Sequence, residues 1–447
     1  MKLSLLVLVA FTIALLGAPG DARAQATLAA ADASAAPDAA IMARAKEWLH
    51  RLQTADIDRT QLTPQMNDVL NPDSAKQFAA QISVLGDPTS FTFVSKQTTG
   101  ADTTYTYRAV FKLGAFNEEF SLGADGKISG LRLRPAAAQA GTTAPTALPT
   151  PFPHFNSVDV TFTSSDGTRL AGTVTVPNRG HAPYAVVVFV HGSGPLDRNE
   201  TIGPNPVFLQ LSNALSNAGY AVLRYDKRGI AKSGGSATTT TRTELLQDIR
   251  AAVSFARMYP SINSQRIFLL GHSEGGELVP SAAAADGKIS GIVLMAPPAL
   301  PLWQVSMEQA LASVPASQRE ATRQQELDAL QQIRTGQKQI SGGAWYRSSM
   351  DIDPVVDIAR VRGPILILQG ALDAEVFPRD LPRLVYAARK KNRDVAVFSF
   401  PGDNHLFMTV QGATPQTPQA ALQQYLTLPA RIDPVVVRTI LSWLKRH

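Results

Sequence analysis

At 447 residues the chain exceeds one ordinary domain, and its 45% hydrophobic and 17% charged content supplies large cores while excluding fibrous or wholly disordered character. The formal charge of +6 is small for this size, and its Lys and Arg residues are scattered without a basic stripe interleaved with aromatics, so no nucleic-acid partner is expected. Cysteine is absent, which removes thiol nucleophiles, zinc–thiolate sites and iron–sulfur ligation together.

Residues 1–24 read as a signal peptide. Met1-Lys2 is a short basic start, Leu3 to Leu16 is apolar, and Ala22-Arg23-Ala24 has the small-x-small pattern of a cleavage site. The alternative is an uncleaved anchor, but 14 apolar residues fall short of the roughly 20 needed to span hydrocarbon. The expectation is therefore an exported protein, periplasmic or secreted, with no stable membrane insertion after cleavage. An exported domain of this size needs no disulfide staples.

Gln25 to Pro37 is low-complexity sequence expected to stay mobile. Residues 38–135 then read as a small α+β domain. Ile41, Ala45, Trp48, Leu49 and Leu52 recur at helical spacing over Ala39–Leu52, and Ala75–Leu85 is a second helix candidate. The period changes to two in Phe91–Val94, Thr104–Phe111, Phe116–Leu122 and Ile128–Leu133, with a turn at Ala124-Asp125-Gly126. No catalytic constellation is visible there, and its aromatic residues read as core. Residues 136–154, rich in Pro, Thr and Ala, have linker composition.

Beyond the linker, from residue 155, strand and helix signals alternate, which predicts a mostly parallel sheet flanked by helices. Val158–Thr163 and Leu170–Val176 flank the turn Asp166-Gly167 as an antiparallel hairpin. Near-continuous apolar runs at Ala185–His191, Ala221–Tyr225, Arg266–Gly271, Gly291–Ala296, Pro364–Gln369 and Val395–Phe400 suit strands buried on both faces. Phe208–Ala218 and Thr243–Arg257 are helical. The polar, Gln-rich stretch from about 300 to 355, helical over Ser317–Ile333, interrupts the alternation and is placed to cap a site at the strand ends.

The sharpest chemical signal is Gly271-His272-Ser273-Glu274-Gly275. It follows an apolar strand and precedes helix-compatible residues, the context a G-x-S-x-G nucleophile elbow requires. A tight turn projects the serine hydroxyl above the sheet, small neighbours avoid a strand–helix clash, and the helix N-terminus favours a developing oxyanion. A serine hydroxyl needs a base to take its proton, and in such sites the partners follow in the order serine, acid, histidine. Only His405 and His447 lie beyond Ser273. His447 is the chain terminus and is expected to fray, whereas His405 sits in the turn Pro401–Leu406 after the last strand.

Asp373, leaving a strand through Gly370, is the expected acid that holds the imidazole tautomer. Asp403 reads as a turn former and Asp380 as a surface or capping residue. For the oxyanion the expected donors are the backbone N–H groups of Ser193, with Gly192 as the other choice in that loop, and of Glu274. His191 reads as a support of the loop, Asp226 and Arg228 as a buried network shaping another, and Thr238–Thr241 as a solvated loop.

HGSGP, YDKRG, GHSEGG, the GALD turn and the DNH turn occur in an order that resembles the bacterial alpha/beta-hydrolase family with esterase and serine aminopeptidase-like members, over residues 155 to 447. The resemblance implies an α/β fold of alpha/beta-hydrolase type with a helical cap. It also implies a serine hydrolase in which Ser273, His405 and Asp373 form the catalytic triad, without a cofactor or metal. The small leading domain resembles the cystatin-like or NTF2-like domain of unknown function that precedes some of these hydrolases. An aspartate nucleophile, as in epoxide hydrolases and haloalkane dehalogenases, is disfavoured by the serine.

The leading expectation is hydrolysis of carboxylic esters through an acyl-enzyme, with a small-molecule ester or a short peptide as substrate. A second reading keeps the triad for an aminopeptidase or oligopeptidase, with Glu277, Glu308, Glu320 or Glu326 as carboxylates for a substrate amine. A third makes the chain an envelope-associated binding protein with a residual hydrolase domain. Acyl preference and oligomeric state are not encoded legibly.

Overall fold

The computed structural model describes residues 39–72, 75–76, 79, 82, 85–111, 114–135, 154–338, 340, 343–410, 415, 417–427 and 429–447. The expected signal peptide, low-complexity lead and linker, and most of the helix expected at 75–85, lie outside the described residues. The chain divides into two compact units between residues 144 and 145.

In the first unit, helix α1 (Ala39–Thr54) buries Ala45, Trp48, Leu49 and Leu52, the residues its helical spacing had aligned. The short helix α2 (Pro64–Val69) starts on a Thr63 side-chain cap. Strands β1 (Ser90–Thr99), β2 (Asp102–Phe111), β3 (Gly114–Leu122) and β4 (Ile128–Pro135) form an antiparallel meander in chain order. The alternating burial of β2 presents Tyr105, Tyr107, Ala109 and Phe111 to a core shared with Trp48 and Phe120.

The second unit is built on an eight-stranded sheet. Its strands are β5 (Phe155–Thr163), β6 (Arg169–Pro177), β7 (Tyr184–Val190), β8 (Ala221–Tyr225), β9 (Ile262–His272), β10 (Gly291–Met295), β11 (Ile365–Gly370) and β12 (Val395–Phe400). The spatial order is β5-β6-β8-β7-β9-β10-β11-β12. The β5–β6 hairpin and the β6–β8 pair are antiparallel, and every later pairing is parallel.

The apolar runs behave as strands buried on both faces must, except Val395–Phe400, which forms the sheet edge and leaves Phe398 exposed. Val186 and Val188 face a layer with helices α4 (Arg242–Met258), α5 (Glu274–Asp286) and α10 (Leu381–Arg389), while Val187 and Phe189 face α3 (Val207–Asn217) and α12 (Pro434–Arg446). Each such fully buried side chain contributes about 1.5–3 kcal/mol of transfer free energy.

Between β10 and β11 lies the expected cap, helices α6 (Leu302–Ala312), α7 (Arg319–Arg334) and α8 (Gly343–Ser349), followed by the single turn α9 (Pro354–Ile358). Met307, Leu330, Ile333, Tyr346 and Met350 give the cap its own small core. Helix α11 (Pro418–Thr427) precedes α12. Among the described residues no helix is long and apolar enough to cross a membrane.

Two expectations at the edges of elements need correction. The threonine run is not simply a solvated loop: Thr240 is buried, and Thr241 closes a capping box with Glu244 that starts α4. His447 is not frayed, because its ring packs on Trp443 at 4.6 Å and its Nε2 lies 3.1 Å from Asp394.

Candidate active site

The elbow forms because β9 runs directly into α5 with one residue between them. That residue is Ser273, held at φ 53° and ψ −118°, a conformation that costs a non-glycine residue about 1–3 kcal/mol. Its glycine flanks are a packing requirement. A Cβ on Gly271 would stand 2.1 Å from the Gly275 carbonyl oxygen, and one on Gly275 would stand 2.1 Å from that of Val190. Any larger residue at either position drives strand and helix apart.

Acid and histidine arrive from β11 and β12, two and three strands away from β9 in the sheet. Gly370 ends β11 and releases Asp373, and the turn after β12 carries His405. His405 Nδ1 lies 2.8 Å from Asp373 Oδ2, both residues being buried. That carboxylate is also held by Gln369 Nε2 at 2.8 Å and by the N–H groups of Glu375 and Val376 at 2.8 and 2.9 Å. Burial alone would lower the imidazole pKa, yet the charges of Asp373 and Glu375 overcome it and raise it to about 9. Such a pair stabilises an imidazolium. Asp403 makes no such contact. It accepts from Thr409 Oγ1 within its own turn, and burial with the nearby Asp433 raises its pKa to about 6.

The serine and the histidine are linked through His272. The His272 ring stands 4.8 Å from the His405 ring, and its Nε2 lies 3.0 Å from the His405 carbonyl oxygen. Among the described residues no direct hydrogen bond joins Ser273 to His405. On its other side His272 Nδ1 lies 3.1 Å from Glu200 Oε1, which also accepts the Gly192 N–H at 2.7 Å. Fully buried Glu200 therefore ties the elbow to the loop after β7.

That bond engages the Gly192 amide, one of the two donors expected in this loop. Ser193, Ser273 and Glu274 line one cleft. The Glu274 N–H belongs to the first turn of α5, where no intrahelical carbonyl is in reach. The buried His191 packs between Phe208 and Tyr225, and burial lowers its pKa to about 4, as suits a loop support.

In the YDKRG segment Asp226 and Arg228 are buried in ionic contacts that shape the loops, each with its own partners. Asp226 does not pair with Arg228. Asp226 holds Arg198 through Nη2 at 2.8 Å and Nε at 3.0 Å, while Arg228 reaches Asp248 at 3.0 Å from Nε, and also Asp166. Lys227 between them donates to Glu274 Oε2 at 2.6 Å and to the Gly192 carbonyl at 2.9 Å. The other Glu274 oxygen accepts from Trp345 Nε1 of the cap. One side chain of the elbow thus meets both the loop after β8 and the cap.

The cleft encloses about 930 Å³ including its open mouth, and apolar side chains such as Leu302, Val305, Trp345, Ile352 and Leu422 line much of it. Of the acids expected to meet a substrate amine, only Glu277 reaches it. It belongs to α5 and not to the cap, pairs with Arg242 at 2.9 Å, and is raised by burial to about 7, against the pull of Arg242. Glu308 pairs with Arg379, Glu320 lies exposed 3.6 Å from Arg323, and Glu326 is buried within the cap, its pKa raised to about 7 by burial. Among the described residues no group of acids and histidines is arranged to hold a metal ion.

Residues 181–409, just over half of the chain, match the family model described as serine aminopeptidase, S33. The chain belongs to the serine aminopeptidase family S33. It is thereby an enzyme of the alpha/beta-hydrolase class, and its strand order is that fold. Esterase EstD of Thermotoga maritima is 28% identical over 349 residues, spanning 76% of this chain and 79% of that protein. Protein YfhR of Escherichia coli K12, uncharacterized, is 31% identical over 122 residues, and the match spans only 40% of its length. Among solved structures, the esterase Pf2001 of Pyrococcus furiosus aligns over 65% of this chain and 91% of its own at 18% identity, with a TM-score of 0.45.

Sequence reasoning missed Glu200, Lys227, Trp345 and Glu375 as members of the S33 site. Lys227 had a signal, since it lies in the YDKRG run. The other three stand in unremarkable sequence and gain their roles from loops that meet only in space.

Proposed function

We propose that the chain hydrolyses carboxylic esters through an acyl-enzyme on Ser273. His405 Nε2 takes the Ser273 proton as Oγ attacks the ester carbonyl, and Asp373 stabilises the imidazolium that forms. The Ser193 and Glu274 N–H groups hold the oxyanion of the tetrahedral intermediate. His405 then protonates the departing alcohol, and water repeats the cycle to release the acid. A hydrogen bond from Ser273 to His405 forms when substrate closes the site, since catalytic hydrogen bonds are commonly completed only in the complex. The protein acts outside the cytoplasm, in the periplasm or the medium, on the strength of its leader sequence.

The observation that carries this reading is the buried His405–Asp373 pair at 2.8 Å beside a strained serine elbow that opens onto an apolar cleft. Purified protein is expected to release p-nitrophenol from short-chain acyl esters, and Ser273→Ala to lose at least about a thousandfold in kcat. Equal turnover by the variant would end the proposal. The same triad serves an aminopeptidase, a reading favoured by the family's description and by the acids in the cleft. Cleavage of alanine- or proline-naphthylamides with no ester turnover would select it.

A further inference from the structure

The cleft carries a charge that the chain's overall balance conceals. Although the protein is net positive, no Lys or Arg is among the described residues that line the cleft, whereas Glu274, Glu277 and Glu375 are. Two of these acids are answered by cations reaching in from behind the wall: Lys227 Nζ lies 2.6 Å from Glu274 and Arg242 Nε lies 2.9 Å from Glu277.

Glu375 has no such partner. Its backbone is fixed, since its N–H donates to Asp373 Oδ1 at 2.8 Å and its carbonyl accepts Gln309 Nε2 of the cap at 2.8 Å. Its carboxyl forms no ion pair among the described residues, and the Tyr425 hydroxyl faces it. The groups acting on it are His405, Asp373, the Tyr425 hydroxyl and His272.

We propose that Glu375 is a specificity-determining residue that selects esters bearing a positive charge on the part that fills the cleft and rejects those bearing a carboxylate there. The selection rests on the esterase reading above and adds a substrate class to it. Opposite charges a few ångströms apart, sheltered from water, attract far more strongly than on an open surface. An approaching anion meets repulsion with no countercharge on the wall to relieve it. Burial pushes the Glu375 carboxyl above the ordinary carboxylate value. A bound cation favours its ionised form and so completes the pair. The apolar residues around it suit an alkylated ammonium better than a naked, strongly hydrated one.

The test uses the full chain and three p-nitrophenyl esters of equal acyl length, ending in a methyl, a trimethylammonium or a carboxylate group, assayed at about pH 8, where exposed carboxyls are ionised. Wild type should prefer the cationic over the anionic ester by at least about thirtyfold in kcat/KM, with the neutral ester between them. In Glu375→Gln that ratio should fall to within about threefold. Taking the ratio within one enzyme cancels any change in His405 basicity.

Neutral ester turnover without a charge preference would overturn the inference while leaving the esterase reading intact. A preference undiminished in Glu375→Gln would overturn it equally. No turnover of any of the three would remove the esterase reading and the inference with it. Should the variant fail to fold, wild type alone decides. Butyltrimethylammonium should inhibit neutral-ester hydrolysis competitively, whereas its uncharged tert-butyl isostere should inhibit at least about tenfold more weakly, and equal inhibition by the two would refute the role.

Discussion

Two buried carboxyl groups, one in each unit, show what separates a site from a core. Asp373 and Glu118 are both nearly excluded from solvent. Asp373 is met by four donors, from His405, Gln369 and the backbone of Glu375 and Val376. Both oxygens of Glu118, on β3 opposite Tyr107, lack a hydrogen-bond partner among the described residues, and burial pushes its carboxyl well above the usual range. Burial is common to both. The preorganised donors belong to one, and they allow a charge to stand where chemistry can use it.

The comparison is sharpest at Asp373 itself. In Asp373→Asn the amide presents a donor to an imidazole that needs an acceptor, so kcat should fall by about 10³–10⁴-fold with the fold intact by circular dichroism. A loss of less than about tenfold would show that the four donors serve structure alone.

A smaller effect is expected at Glu200, which touches neither acid but joins the elbow to the loop after β7 through His272 and Gly192. Glu200→Gln should lower kcat by about ten- to hundredfold through misplacement of reacting groups while leaving KM within about twofold. A change in thermal stability with an unaltered kcat would mark it as packing only.

The least effect on catalysis belongs to Glu118. Its folded pKa lies above the unfolded one, so between the two the native state holds a proton that the unfolded chain has lost, and stability falls as pH rises. Glu118→Gln should therefore raise the thermal midpoint at about pH 8, leave it nearly unchanged at about pH 4, and leave ester turnover within about twofold. Reduced turnover would place chemistry in the first unit and break the contrast.

Much of the sheet was legible because its central strands are buried on both faces and its strands read as apolar runs. Val395–Phe400 and Ala221–Tyr225 coincide with β12 and β8 residue for residue. The elbow was legible for a different reason, since Gly271 and Gly275 are demanded by approaches of 2.1 Å that no other residue survives.

Charge pairing was not legible. In YDKRG three adjacent ionic residues find Arg198, Glu274 and Asp248, partners 20 to 47 positions away that nothing local specifies. The terminal His447 likewise depended on Trp443 and Asp394, which only the folded helix brings near. Glu375 escaped notice because an acid two residues beyond another looks like surface until the cleft is seen.

The account turns on where a covalent bond to substrate forms. Reaction with a fluorophosphonate ester, followed by proteolysis and mass mapping, should place a single adduct on the peptide containing Ser273, with activity lost in proportion to labelling. Inactivation accompanied by an adduct on any other residue, or full activity in protein stoichiometrically labelled at Ser273, would contradict it.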